Sequence, residues 1–334
     1  MVSMGTVAID MCCGMGGLSL AAKSVGIQPI AGVDINKNAL KTYQKNFPDT
    51  KTIEGDVTKK AVWEQCKEIS ESYKSKESKV MILTGPPCQG FSIAGSRDPK
   101  DPRNNVLLSI AKAICYIHPY AAMVENVASL LSDRNKESIQ KFNNILTRTN
   151  NYKILPIILD ASDFGVPQKR KRVFFLISTN NINEKDLSIN LNLYRTEKIA
   201  AQKAFIGLPQ PEIRPDNYDD ERFLRTIANH EAMNHSKKVI SKISKIKPGE
   251  GPLSYKRLNP TKPSVTLISG HRAPPVHPSE HRSITVREAA RLQGFPDSFR
   301  VYGYFYSQME QVTNAVPYPL GKSIINAFFQ CLGE

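Results

Sequence analysis

Several things are missing from this 334-residue chain, and each absence removes a class of function. Its six cysteines (Cys12, Cys13, Cys66, Cys88, Cys115 and Cys331) contain no Cys-x-x-Cys pair. Neither a zinc site of that spacing nor a disulfide framework is therefore indicated. No secretory leader is recognisable at the N-terminus. No uninterrupted apolar run approaches the ~20 residues that a membrane span requires. These absences predict free thiols in a reducing compartment, no metal site, no membrane and a cytoplasmic location. Acidic residues are also in deficit, with 31 Asp and Glu against 45 Lys and Arg, a formal net charge of +14. That balance favours a polyanionic partner, nucleic acid before membrane. The length allows one large domain, or a large domain plus a small one.

The first eighty residues alternate between short apolar runs and helical patterns. Val7-Ala8-Ile9-Asp10 reads as a strand running into Met11-Cys12-Cys13-Gly14-Met15-Gly16-Gly17, and Leu18 to Ser24 reads as a helix. Strand, glycine turn and helix form the first unit of a nucleotide-binding α/β fold. The spacing is Gly-x-Gly-Gly, without the third glycine of the dinucleotide fingerprint, which disfavours a nicotinamide oxidoreductase. Pro29 to Val33 is a second strand ending at Asp34, followed by a helix over 36–47. Asp34 is placed either to accept ribose hydroxyls or to cap that helix. A third strand, Thr50 to Ile53, ends at Gly55-Asp56, and Asp56 is placed to accept an adenine amino group. Three acids at three successive strand ends suggest an adenosine-type ligand without phosphates. Val62 to Glu71 reads as a helix, and Ser70 to Lys79 as a polar connection.

The stretch Gly85-Pro86-Pro87-Cys88-Gln89-Gly90-Phe91-Ser92 follows the buried run Val80-Met81-Ile82-Leu83. Two prolines end strand pairing and fix the backbone, so Cys88 stands in a rigid loop at the carboxyl end of a strand. That position suits a presented nucleophile, and equally a small apolar residue in a tight turn. The polar segment 94–105 has the length of a functional lid. Val106 to Ile117 reads as a helix. Ala121 to Val124 is a further strand leading to Glu125-Asn126-Val127, at the same sheet edge as Cys88. After a helix over 138–149 and a strand over 153–159 comes Gln168-Lys169-Arg170-Lys171-Arg172. In an extended segment Gln168, Arg170 and Arg172 share one face, and arginines at that period can aim planar forks at one acceptor.

From 180 to 272 the βα alternation stops. Between His230 and Lys262 there are eight Lys and Arg against two acids, with Tyr255 among them. The pattern over 236–246 predicts a helix whose lysines either face water or meet phosphates. Thr285 and Glu288 form a capping-box signature at the start of the Arg287–Pro296 helix, which stops at Gly-Phe-Pro. Gln311 to Pro317 precedes a terminal helix.

In this order and over essentially the whole chain, these motifs resemble the DNA (cytosine-5) methyltransferases of prokaryotic and phage modification systems. Asp10–Gly17, Gly85–Ser92, Glu125-Asn126-Val127, Gln168–Arg172, the Arg287–Pro296 helix and Asn314-Ala315-Val316-Pro317 carry the resemblance. It implies an α/β fold: a Rossmann-like domain binding S-adenosylmethionine over 1–179, completed by 310–334. It also implies a smaller target-recognition domain over 180–272, with 273–309 as hinge and connecting helix. The implied partner is double-stranded DNA and the implied state a monomer. Whether a cognate restriction endonuclease acts separately is left open.

By that resemblance Cys88 is the nucleophile, Glu125 the acid at ring N3, and Arg172, supported by Arg170, the holder of the base carbonyl. Cys12, Gly14, Gly16, Gly17, Asp34, Ile35, Asp56, Val57, Pro86, Val106 and Asn314 would line the cofactor. Gln89, Ser92, Asn126 and Gln168 would contact the flipped nucleotide or its phosphates. The product would be S-adenosylhomocysteine, with no metal involved. Two positions depart from the family pattern. Cys12 stands where an aromatic residue is usual. Thr313 stands where glycine is usual, and a threonine disfavours positive φ. A transfer-RNA methyltransferase of the same architecture is an alternative, although its target-domain Cys-Phe-Thr signature is missing. A DNA-binding protein that has lost catalysis is another, against which stands the intact Cys88, Glu125 and Arg172 set.

Overall fold

The computed structural model describes residues 5–87, 104–214, 227–252, 255–268 and 274–333. Cys88, Gln89 and Ser92, with the expected lid over 94–105 up to residue 103, lie outside the described residues. By internal contacts the chain divides into two units: 1–160, 171–195 and 321–334 form one, 161–170 and 196–320 the other.

The first unit is built on a seven-stranded sheet in the order β3-β2-β1-β4-β5-β7-β6. Its strands are β1 (Val7–Met11), β2 (Gln28–Asp34), β3 (Lys51–Glu54), β4 (Val80–Thr84), β5 (Ala121–Val127), β6 (Lys153–Asp160) and β7 (Lys171–Ser178). The first five run parallel; β7 lies antiparallel between β5 and β6. A parallel strand covered on both faces has no solvent side, so β1 and β4 are buried at every residue and read as continuous apolar runs. One face packs on α3 (Lys60–Lys74), α4 (Asn104–Ile117) and α5 (Lys136–Asn150), through Ile9, Met11, Ile82, Val124, Cys66, Ile114 and Phe142. On the other side of the chain order, α1 (Gly17–Ser24) and α2 (Lys37–Asn46) follow β1 and β2. The segment 180–195 belongs to this unit because α6 (Glu184–Asn192) is tied to the C-terminal helix. Asn190 meets the Cys331 thiol at 3.5 Å, and Gln330 donates to the Tyr194 hydroxyl at 3.2 Å.

Three sequence expectations need correcting here. The helix after β3 does not give way to a connection at Ser70; it runs to Lys74, with Ser70 fully buried within it. Strand β5 continues through Glu125 and Asn126 rather than ending before them, because β7 pairs along its whole length. Thr313 lies inside α9 (Phe305–Asn314) and is not among the positive-φ residues. Its hydroxyl donates to the Glu310 carbonyl, so the threonine meets no backbone conflict.

The second unit holds α7 (Lys237–Ser244), α8 (Val286–Leu292) and α9. Ser236 caps α7, and the Thr285–Glu288 capping box starts α8 as expected. Two buried arginines tie its loops together. Arg287 donates to the carbonyls of Ala228, Pro296 and Phe299, and Arg257 to those of Ile243, Ile246, His277 and Glu280. Arg257 is therefore spent on backbone and leaves the lysines as the surface charge of this segment. At the C-terminus α10 (Tyr318–Cys331) follows α9.

Two histidines of this unit, His230 and His235, are held by directed hydrogen bonds. His230 donates from Nε2 to the Pro209 carbonyl, and its Nδ1 meets the Thr285 hydroxyl at 2.9 Å, an oxygen that already accepts the Glu288 amide. His235 Nε2 accepts the Ser283 amide at 3.2 Å. Burial lowers both from the usual value of 6.5. A group depressed in the folded state binds fewer protons folded than unfolded, so its stabilisation is complete above that value and is lost as pH falls below it. Amide exchange over 228–301, corrected for intrinsic rate, should therefore show weaker protection at pH 5 than at pH 7.5. Unchanged protection would contradict this reading of the histidines.

Candidate active site

The carboxyl ends of parallel strands gather at one sheet edge, where open α/β folds bind ligands. The loop after β1 is tied to the end of β2: Cys13 N–H donates to the Val33 carbonyl at 2.9 Å and Gly14 N–H to Asp34 Oδ2 at 2.8 Å. Gly14 (φ 53°) and Gly16 (φ 100°) take left-handed backbone, and so does Cys12 at φ 62°, which a non-glycine residue adopts at a cost. Gly16 has a second reason to be glycine, since a Cβ there would sit 2.4 Å from Phe47. A Cβ at Gly14 would meet nothing within 4 Å, so the loop presents bare backbone to open space. Gly17 opens α1.

Asp34 is not the cap of the following helix. Asn36 holds that position through the amides of Asn38 and Ala39, while Asp34 Oδ1 accepts the Asn36 amide. Burial raises the Asp34 carboxyl, and those amide bonds pull against the rise. Ile35 beside it is 70% exposed, a large apolar side chain without cover. At the end of β3, Asp56 accepts the Thr58 amide at 2.8 Å, which holds its carboxyl below the usual range. Val57 is buried, and its carbonyl takes the indole N–H of Trp63 at 2.6 Å. Val106, in the first turns of α4, is partly buried. Open glycine backbone, two carboxylates and an uncovered isoleucine make a donor set that suits an adenosine-type ligand. Burial pushes the Cys12 and Cys13 thiols well up, so neither is a thiolate at neutral pH.

At the ends of β4 and β5 a second cluster forms. Glu125 Oε1 is 2.8 Å from Arg172 Nε, with 9% and 13% of their side chains exposed. The contact is an ion pair without hydrogen-bond alignment, since that oxygen has no hydrogen-bond partner. A Cβ on Gly85 would lie 3.2 Å from Glu125 Oε2, so the backbone before Pro86 approaches the carboxylate closely and any side chain would press on it. Pro86 is buried, and its carbonyl accepts the Asn126 amide at 3.2 Å. Asn126 Oδ1 also takes the Val127 N–H. Both ends of that side chain bond to backbone, which makes Asn126 an anchor for the chain at Pro86.

In the second unit, Gln168 is likewise committed. Its Oε1 accepts the Leu267 amide, and its Nε2 donates to the Leu292 carbonyl and Gln293 Oε1. Fully buried, it has no atom left for DNA and instead fastens its segment to the 264–267 stretch and α8. Arg170, also buried there, donates to the Leu267 carbonyl at 3.3 Å. Asn314 ends α9 with an exposed side chain. Sequence reading named Gly85 only as the start of the Pro-Pro stretch, without a role, and missed Trp63. The signals were a glycine between a buried strand and Pro-Pro, and the chain's only tryptophan.

Residues 7–330 match the family described as C-5 cytosine-specific DNA methylase. The Type II methyltransferase M1.HphI of Haemophilus parahaemolyticus is 31% identical, with 97% of this chain and 87% of that protein covered. The Type II methyltransferase M.DdeI of Desulfomicrobium norvegicum is 29% identical, with 95% and 86% covered. Among solved structures, an E. coli prophage protein described as a candidate DNA modification methyltransferase superposes with a TM-score of 0.79. It is 26% identical and covers 98% of this chain and all of its own. An Entamoeba histolytica methyltransferase shares the fold at 20% identity, a TM-score of 0.64 and 99% coverage of both chains.

Removing the Asn126 anchor should loosen the loop that carries Cys88 and leave a buried carbonyl unpaired, a loss of ~1–3 kcal/mol in stability. Asn126→Ala is expected to lower turnover by at least about tenfold through misplacement of that loop. Its affinity for S-adenosylhomocysteine should stay near wild type in calorimetry. Wild-type turnover in that variant would show that the bond to Pro86 positions nothing.

Proposed function

Because the chain belongs to the C-5 cytosine-specific DNA methylase family, we propose that it methylates C5 of a specific cytosine in duplex DNA. S-Adenosylmethionine is the methyl donor, and the setting is modification in a Type II restriction–modification system or a phage. The observation that carries the reading is the Glu125–Arg172 pair beside Gly85. An acid and a guanidinium close to the backbone that leads into Pro86 support the reading. A cytosine ring is too electron-poor at C5 to attack a methyl group, so it must first be activated. Cys88, as thiolate, adds to C6 and forms a covalent bond to the base. Glu125 gives a proton to ring N3 and so drains the charge that this addition creates. Arg172 holds Glu125 in place and faces the base carbonyl, with Arg170 supporting the segment that leads into β7.

The donor, when bound, supplies an electrophilic methyl on a sulfonium. Gly14, Gly16, Gly17, Asp34, Ile35, Asp56 and Val57 would hold it at the ends of β1 to β3, with Cys12, Pro86 and Val106 completing the lining. Once C5 is methylated, its proton passes to water, the C6–sulfur pair returns to Cys88 as thiolate, and N3 gives its proton back to Glu125, which restores the ring. None of these atoms is accessible in a stacked duplex, so the cytosine is rotated out of the helix. Gln89 and Ser92 are the candidates for contact with it. Of the region 180–272, the part from 196 onward is the target-recognition segment, and the exposed Lys237, Lys238 and Lys242 of α7 meet phosphates there. The protein acts as a monomer, and a cognate endonuclease, where one exists, acts separately.

Incubation with labelled S-adenosylmethionine and unmethylated duplex DNA should place label on cytosine C5, and Cys88→Ser should abolish it. Label on RNA alone, or undiminished transfer by the variant, would overturn the reading.

A further inference from the structure

One buried acid at the base of the cofactor loop has no part in the transfer described above. Asp10, near the end of β1, is 1% exposed. Its neighbours Ile9 and Met11 pack into the core formed with α3 and α4, whereas Asp10 belongs to a polar chain with α1 and α2. Ser19 Oγ donates to Asp10 Oδ2 at 2.7 Å and meets the Tyr43 hydroxyl at 2.8 Å. Since the serine proton is used on Asp10, the Tyr43 O–H donates to Ser19. Both hydroxyls therefore point their donors towards the carboxylate, an arrangement that favours its ionised form. Asp10 Oδ1 is buried with no hydrogen-bond partner.

The ionisable groups that feel Asp10 are Asp34 on β2, Cys12 and Cys13 in the loop, and Tyr43 on α2. None of these is a cation. Burial holds both thiols and the phenol in their neutral forms, which leaves Asp34 as the other charge, of the same sign. A carboxylate in a dry interior without a counter-ion is costly, and a positive charge brought nearby favours it strongly. The positive charge that distinguishes methyl donor from spent product is the sulfonium, because both carry the same ammonium and carboxylate.

We propose that Asp10 is a specificity-determining counter-charge that makes the cofactor cradle prefer the sulfonium donor over its neutral thioether product. This rests on the assignment of S-adenosylmethionine to the glycine loop. Asp10 acts through the field in that loop, as a positioning residue that touches no reacting atom. Burial carries its carboxyl up to about 7, so its ionised fraction changes across the neutral range. By linkage, the donor binds more tightly as pH rises through that range, while the product gains little.

The test is calorimetric titration of the full chain with S-adenosylmethionine and with S-adenosylhomocysteine from pH 6 to pH 8. The ratio of product Kd to donor Kd should rise by roughly three- to tenfold over that interval, a change of up to about one pKa unit in coupling. Asp10→Asn should flatten the ratio. Ser19→Ala, which removes a donor to the carboxylate and leaves it in place, should move the rise to higher pH, and it serves where Asp10→Asn does not fold. A purely structural role would weaken both ligands alike, with no pH term. A pH-independent ratio in the wild type, or a rise that survives in Asp10→Asn and so belongs to Asp34, would overturn the proposal. A wild type that binds neither compound at any pH would instead refute the cofactor assignment itself.

Discussion

The reversal of a single strand does most to make this site. Strands β1 to β5 all deliver their carboxyl ends to one edge of the sheet, so a further parallel strand could bring only its own carboxyl end there. Because β7 runs antiparallel to β5, its first residues arrive at that edge instead, and the register sets Val127 opposite Arg172 and Glu125 opposite Phe174. Arg172 then reaches Glu125 at 2.8 Å. The arginine comes from a segment some forty-seven positions away in sequence, and only the antiparallel pairing makes the two neighbours. A charged pair so little exposed is stabilising only while both partners stay in place, which explains the close glycine approach at Gly85 and the anchoring of Pro86 around it.

The cofactor side of the edge is held by a different device, backbone rather than charge. Gly14 and Cys13 donate to the end of β2, Gly55 donates to the Asp34 carbonyl, and the Tyr43 and Phe47 rings of α2 and its C-cap pack where Cβ atoms would have to be at Gly32 and Gly16. Asp34 therefore holds the loop as well as presenting a carboxylate. The same economy recurs in the second unit, where Gln168, Arg257 and Arg287 use nearly all their polar atoms on backbone. Charge counts along the sequence overstate what is offered to a partner, since these side chains are committed inside the fold while lysines such as those of α7 stay exposed.

Much of the architecture was legible because burial on both faces forces apolar runs: Val80–Leu83 and Ala121–Val124 could hardly be anything but central strands. The positions of Asp34, Asp56 and Glu125 followed, since a strand's end fixes where the next side chains stand. What the sequence concealed were side chains whose role is decided by partners far along the chain. Asn126 and Gln168 look like polar contacts in a motif, yet Pro86, Leu267 and Gln293 claim them. Thr313 stood out because glycine is usual at that position of the motif, but α9 reaches Asn314 and gives it ordinary helical backbone. Asp10 read as one of three ligand-facing acids, whereas alternation along β1 turns it inward to Ser19.

Activation of the base by Cys88 is the step on which this account stands, and a covalent trap reports it directly. Duplex DNA carrying 5-fluorocytosine at the modified position can accept the thiolate and the methyl group, but it has no C5 proton to lose, so the adduct cannot resolve. The account predicts a stable protein–DNA complex, formed only with S-adenosylmethionine present, whose cross-linked peptide contains Cys88 bonded to C6. A cross-link through another residue, or methylation of ordinary DNA with no trapped complex on the fluorinated strand, would contradict it.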